Sequence, residues 1–123
     1  MDFAIAPCCW GVYWPTGNNL TWSDYLNKIA TAGYRSTELG PFGFGPTDRA
    51  EMAMSLAEHK IGLVAAAHVH TLADISTLYV LNKKTHAICA LLADFGQPQF
   101  ILMDESEFYP KDQMGVVTDD QWQ

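Results

Sequence analysis

Four short apolar runs alternate along the chain with three segments of helical periodicity. The runs are Phe3 to Cys8, Tyr34 to Leu39, Ile61 to Ala67 and Gln99 to Met103. Each is nearly continuous in its apolarity, as expected of strands in a parallel sheet covered on both faces. Between them, Thr21-Trp22-Ser23-Asp24 has the form of a capping box, with Asp24 in place of the usual Glu. Leu20 and Tyr25 stand at the positions of a hydrophobic staple. Trp22, Leu26, Ile29 and Ala30 then share a face, and Gly33 ends the helix. A second helix is predicted to begin near Pro46-Thr47-Asp48, to bury Met52, Ala53, Leu56 and Ala57, and to end before Gly62. A third carries Leu81, Thr85, Ile88, Leu92 and Phe95 on one side and stops at Gly96, with Pro98 beyond. The order β-α-β-α-β-α-β, in units of about 30 residues, predicts an α/β fold with a parallel sheet.

A second capping box, Thr118-Asp119-Asp120-Gln121, lies close to Gln123, with Val117 and Trp122 at its staple positions. A helix start has no use there, because a single turn is not stable alone. The pattern therefore reads as part of a larger domain.

Composition narrows the function classes. The 123 residues suffice for one domain with a real core and not for two. A hydrophobic share of 49% with 17% charged residues is that of a globular chain. There is no apolar run of about 18 residues, which argues against a membrane span. Residues 1–7 lack the basic start and apolar stretch of a signal peptide, so a cytoplasmic protein is expected. The net charge is −7 and the seven basic residues are scattered, which argues against nucleic acid as a partner. Of the three cysteines, Cys8 and Cys9 are adjacent and Cys89 stands apart. That odd count, without framework or CxxC spacing, suits a reducing compartment and no structural zinc site. No basic neighbour lowers a thiol pKa at Cys8 or Cys9, so packing roles are expected for them and for Cys89.

In parallel α/β folds the chemistry collects in the loops after the strands. The first such loop holds Cys8, Cys9, Trp10, Tyr13 and Trp14; the second strand ends in Glu38, followed by Gly40-Pro41-Phe42-Gly43-Phe44-Gly45. His68-Val69-His70 follows the third strand, and Asp104-Glu105-Ser106-Glu107 follows the fourth. The return turns are chemically plain. Aromatic rings beside carboxylates and imidazoles suit a small sugar or polyol, whose C–H faces stack while its hydroxyls find acceptors.

Glu38 is the candidate general base or hydroxyl acceptor; the plain alternative is an acid paired with a basic neighbour. One of His68 and His70 is expected to point into the mouth, as ligand binder or proton carrier, and the other away. Asp104, Glu105 and Glu107 are candidates for contacts to substrate hydroxyls or a cation. Trp10, Tyr13, Trp14 and Phe42 are expected to wall the pocket. The glycine-rich segment reads as a shaped lid, and no dinucleotide fingerprint, P-loop or nucleophile elbow is present.

Ala4-Ile5-Ala6-Pro7-Cys8-Cys9-Trp10-Gly11 and Gly17-Asn18-Asn19-Leu20 together resemble the start of the sugar phosphate isomerase/epimerase family. Ala32-Gly33-Tyr34-Arg35-Ser36-Thr37-Glu38-Leu39-Gly40 is similar to that family's second-strand signature, with Ser36 where Gly is common. Both units are also similar to those of inosose dehydratases. The resemblance implies a xylose-isomerase-like (β/α)8 TIM barrel of about twice this length. Residues 1–123 would then be a single partial domain: three βα units, the fourth strand and the start of the fourth helix. It further implies that Glu38 and one of His68 or His70 line the pocket. The catalytic set is expected to be Glu38 with His70, and the substrate-binding set to add Trp10, Tyr13, Trp14, Phe42, His68, Glu105 and Glu107.

The expected activity is a metal-dependent isomerase, epimerase or dehydratase of a sugar, sugar phosphate or inositol-type keto-polyol. A divalent Mn, Co or Zn ion would be held by residues of later strands, so that this chain alone is expected to be inactive. Unpaired strand edges make a homo-oligomer possible on this reading. The alternatives are an apurinic-site endonuclease-like barrel, against which the acidic charge weighs, and a stand-alone α/β small-molecule binding module.

Overall fold

The computed structural model describes residues 3–72, 74–96 and 98–105. Glu107 and the capping box at Thr118 lie outside the described residues. Four strands and three helices alternate: β1 Ala4–Ile5, α1 Trp22–Thr31, β2 Ser36–Glu38, α2 Arg49–His59, β3 Gly62–His70, α3 Leu78–Leu92 and β4 Gln99–Asp104. Short 3-10 turns, Pro7–Trp10 and Ile75–Thr77, follow β1 and precede α3.

The helices begin where side-chain acceptors meet the free N–H groups of a first turn. Thr21 Oγ1 accepts the Asp24 N–H at 3.2 Å and donates to Asp24 Oδ2 at 2.6 Å. The shorter Asp thus takes the capping hydroxyl itself, whereas a Glu would reach back to the capping residue's N–H. Asp48 caps α2 by accepting from the N–H groups of Ala50 and Glu51 at 2.9 and 3.0 Å. That helix ends without a glycine. Lys60 adopts the left-handed conformation at φ 56°, and the Ile61 N–H returns to the Leu56 carbonyl at 3.0 Å.

One core joins the helices to the sheet. It takes Trp22, Tyr25, Leu26 and Ile29 from α1, Met52 and Leu56 from α2, and Ile88, Leu91 and Leu92 from α3. Leu39, Ile61, Leu63 and Ala66 supply the sheet side. The face expected of α2 narrows to Met52 and Leu56, because Ala53 and Ala57, each turned about 100° from its neighbour, lie exposed. Cys89 is also exposed rather than in the core, one step past Ile88 on α3.

The four strands form a parallel sheet in the consecutive order β1-β2-β3-β4. A doubly wound sheet reverses its order at a switch point; the described strands show no reversal. The register shifts once. Thr37 pairs with Leu63 but Glu38 pairs with Ala65, which leaves Val64 as an extra residue in β3. Residues three apart on a regular strand face opposite ways, yet Leu63 and Ala66 both lie in the one core, 4% and 0% exposed. The bulge at Val64 turns the rest of β3 over.

Candidate functional site

Two hydroxyls tie the ends of β1 and β2 together. Thr37 Oγ1 lies 2.6 Å from Tyr25 Oη and 2.9 Å from the Ile5 carbonyl, with no solvent reaching either side chain. Thr37 therefore points toward α1, and Leu39 enters the core on the same side. Glu38, between them, projects from the opposite face. It is half-buried, at the C-terminal end of its strand, where the sequence predicts it.

The turn after β1 comes to the same place. Gly40 has φ 69°, and a Cβ there would lie 2.6 Å from Pro7 Cγ, so the loop after β2 is seated directly on the Pro7 ring. Pro7 opens the turn that carries Cys8, Cys9 and Trp10. Both thiols are free and exposed, contrary to the packing role expected of them, because a 3-10 turn rather than strand continues from Ala6. Burial foremost, then Cys9 and the Glu38 carboxylate, push the Cys8 thiol above its ordinary range. Glu38 and the two thiols thus share one neighbourhood at the sheet's C-terminal edge.

The aromatic residues divide. Trp10 lines an open groove of about 430 Å³ with Asn27, Lys28, Thr31 and Ala32. Tyr13 and Trp14 are 65% and 72% exposed and are not among the residues that line this groove. Phe42, expected to wall the pocket, is instead half-buried against the core. Its neighbour Phe44 meets Trp22 and Tyr25 edge-on, with ring centroids 5.7 and 6.0 Å apart. The glycine-rich loop is therefore tucked down rather than raised as a lid.

The histidines depart furthest from expectation. Residues two apart on a strand share a face, and the His68 and His70 rings lie 5.8 Å apart on one side of β3. The expectation that they divide between two faces is wrong for that reason. Their register neighbours are Leu102 and Asp104, just beyond Phe100 beside Ala66. Ala66 belongs to the core that α3 covers, and Phe100 packs against it. Both histidines thus lie on the helix side of the sheet, opposite Glu38.

His70 Nε2 lies 2.8 Å from Thr77 Oγ1, whose own hydrogen goes to the Asp74 carbonyl at 2.8 Å. His70 is accordingly the donor, and its Nε2 carries a hydrogen. His68 Nε2 is buried and finds no partner among the described residues. Burial, then Lys84 and His70, lower the pKa of His68.

The fourth loop supports this side. Asp104 Oδ1 accepts from the Leu72 N–H at 2.9 Å, and the Glu105 N–H donates to the His70 carbonyl at 3.0 Å. Glu105 is half-buried. Among the described residues no three His, Cys, Asp or Glu side chains group closely enough to hold a metal ion, and no helix is long and apolar enough to cross a membrane.

Protein-family models, curated proteins and solved structures yield no match to the chain. Sequence reasoning passed over Tyr25, Thr37 and Gly40, which seat Glu38. Tyr25 and Thr37 carried a signal, since each is a hydroxyl among predicted core positions and needs a partner once buried.

Proposed function

We propose that this chain forms the N-terminal half of a (β/α)8 barrel that isomerises, epimerises or dehydrates a keto-sugar, sugar phosphate or inositol-type keto-polyol. The observation that carries the reading is the placement of Glu38, at the C-terminal end of β2 and on the face turned away from the helices. In parallel barrels that end of the inner face is where substrate is met. The sheet's consecutive order supports the same reading, as does the bare inner face beyond Glu38. There Val69, Ile101 and Met103 are 45%, 41% and 41% exposed, as apolar residues are when the strands that would fill the barrel with side chains are lacking.

Glu38 would accept a substrate hydroxyl hydrogen or take the proton beside the carbonyl, held in place by the Thr37–Tyr25 pair beneath it. The divalent ion implied by the family resemblance would polarise the carbonyl. The described residues do not fit such an ion by themselves, and its ligands would come from further strands. His70 serves the loop before α3 in this scheme rather than the substrate. The scattered basic residues give the endonuclease alternative no support.

Binding tests the reading directly. Isotope-labelled chain is titrated with a keto-sugar and with inosose, with and without Zn²⁺, while amide shifts are followed. The expected outcome is movement centred on Glu38, Cys9 and Trp10, and an affinity at least ~10-fold weaker in Glu38→Gln, the loss of a hydrogen bond to a charged group. The reading fails if neither polyol moves these amides, or if Glu38→Gln binds as tightly as the parent.

A further inference from the structure

His68 and His70 share one side of β3, with ring centroids 5.8 Å apart and ring planes inclined at 34°. Two imidazoles that hold one tetrahedral ion through nitrogens at about 2.1 Å have centroids about 5 to 6 Å apart. The spacing of this pair is therefore that of a chelate. Both side chains are half-buried rather than sealed in, which leaves an ion a way to reach them.

Each ring has a nitrogen to give. His70 Nε2–H donates to Thr77 Oγ1 at 2.8 Å, and that hydroxyl's own hydrogen goes to the Asp74 carbonyl at 2.8 Å. The lone pair of His70 accordingly sits on Nδ1. Fixing one ring nitrogen by a hydrogen bond while the other ligates is how proteins orient a metal-binding histidine. His68 Nε2 is buried and finds no partner among the described residues, a cost that a bound ion would relieve.

We propose that His68 and His70 form a two-histidine clip for an exchangeable divalent ion of the Zn²⁺ class, held through His68 Nε2 and His70 Nδ1 where β3 gives way to the start of α3. The site does not depend on the activity assigned to Glu38, which projects from the opposite face of the sheet. Nor is it the ion implied for the barrel mouth, whose ligands would come from further strands. The donors choose the ion: imidazole nitrogen suits Zn²⁺, Cu²⁺ and Ni²⁺, whereas Mg²⁺ and Ca²⁺ take oxygen. Asp104 stands beside His70 in register, with Oδ1 accepting the Leu72 N–H at 2.9 Å. It adds negative charge near the pair without being counted as a ligand. Among the described residues no third ligand joins the two rings, so water fills the remaining positions and the ion exchanges freely.

Zn²⁺ added to the reduced, metal-free full chain tests the site through proton–nitrogen correlation spectra of the imidazole rings. Of the four histidines, His68 and His70 are expected to shift together, at Nε2 and Nδ1 respectively, and to saturate with one ion. Mg²⁺ should shift neither. His68→Leu should weaken Zn²⁺ binding at His70 by ~100-fold or more, the loss expected when a second, intramolecular contact is forfeited. Thr77→Val should weaken it by ~10-fold through the freed His70 ring, and Thr77→Ser should restore it. The proposal is overturned if Zn²⁺ shifts only one of the two rings or neither, or if His68→Leu or Thr77→Val binds as tightly as the parent. The ring spectra of the parent chain decide the matter even if a variant folds poorly.

Discussion

The hydroxyls of Tyr25 and Thr37 stand 2.6 Å apart in a space closed to solvent, and both reach the Ile5 carbonyl, at 3.3 and 2.9 Å. This contact joins α1 to the ends of β1 and β2 and sets the direction of Glu38. Tyr25→Phe keeps the ring and removes the buried hydroxyl that meets Thr37 and the Ile5 carbonyl, so a loss of about 1 to 2 kcal/mol is expected in urea unfolding. The alkaline limb carries a second signature. Burial pushes Tyr25 up from 10.0 to about 12. The unfolded chain then releases the phenolic proton first, and stability present below pH 10 is lost as the pH rises toward 12. A shift of that size corresponds to about 2 to 3 kcal/mol. Tyr25→Phe should abolish this part of the decline; an unchanged alkaline profile would show that Tyr25 does not cause it.

His68 shapes the acidic side. Burial first, then Lys84 and His70, hold its pKa below 6.5. The unfolded chain binds the proton more readily, so the contribution is complete above about pH 6.5 and is lost as the pH falls through the lower folded value. His68→Leu also removes a buried nitrogen without a partner among the described residues. Its stability near pH 7 should match or exceed the parent's by about 1 kcal/mol, with a flatter profile between pH 7.5 and pH 5. Thermal unfolding across that window measures both effects.

Gly40 is the hinge pin between the first two loops. Any side chain there meets Pro7 at 2.6 Å and must adopt φ 69°. Gly40→Ala should cost about 2 to 4 kcal/mol from the left-handed backbone and the overlap combined. Gly17, with φ 80° but open space around it, serves as the control, since Gly17→Ala carries only the backbone part. Equal losses in the two variants would show that the Pro7 contact contributes nothing.

The inner face offers a test of the half-barrel reading. Ile101 and Met103 are each 41% exposed on β4. Replacing both with Thr keeps a strand-compatible pair while removing apolar surface from water. Light scattering should show weaker self-association, with folding stability changed by about 1 kcal/mol or less. If association persists unchanged, this face is not what drives it.

Local patterning determined most of the architecture. Continuous apolar runs, the Thr21 and Asp48 caps and the Gly33 stop act within a few residues, so α1, α2 and the four strands follow from sequence neighbours alone; α3 forms where its apolar spacing predicts but ends at Leu92, ahead of Phe95 and Gly96. Glu38 at its strand end was legible for the same reason. The side of the sheet on which each later residue falls was not. Val64 looks like any other strand residue, yet its insertion opposite β2 reverses the faces of β3 and carries His68 and His70 to the helix side. Gly40 on Pro7 and Thr37 on Tyr25 likewise join residues 33 and 12 positions apart. Register and long-range contact depend on how two strands settle against a shared core. Only the tertiary structure decides that, because no interaction between sequence neighbours distinguishes one pairing from the next.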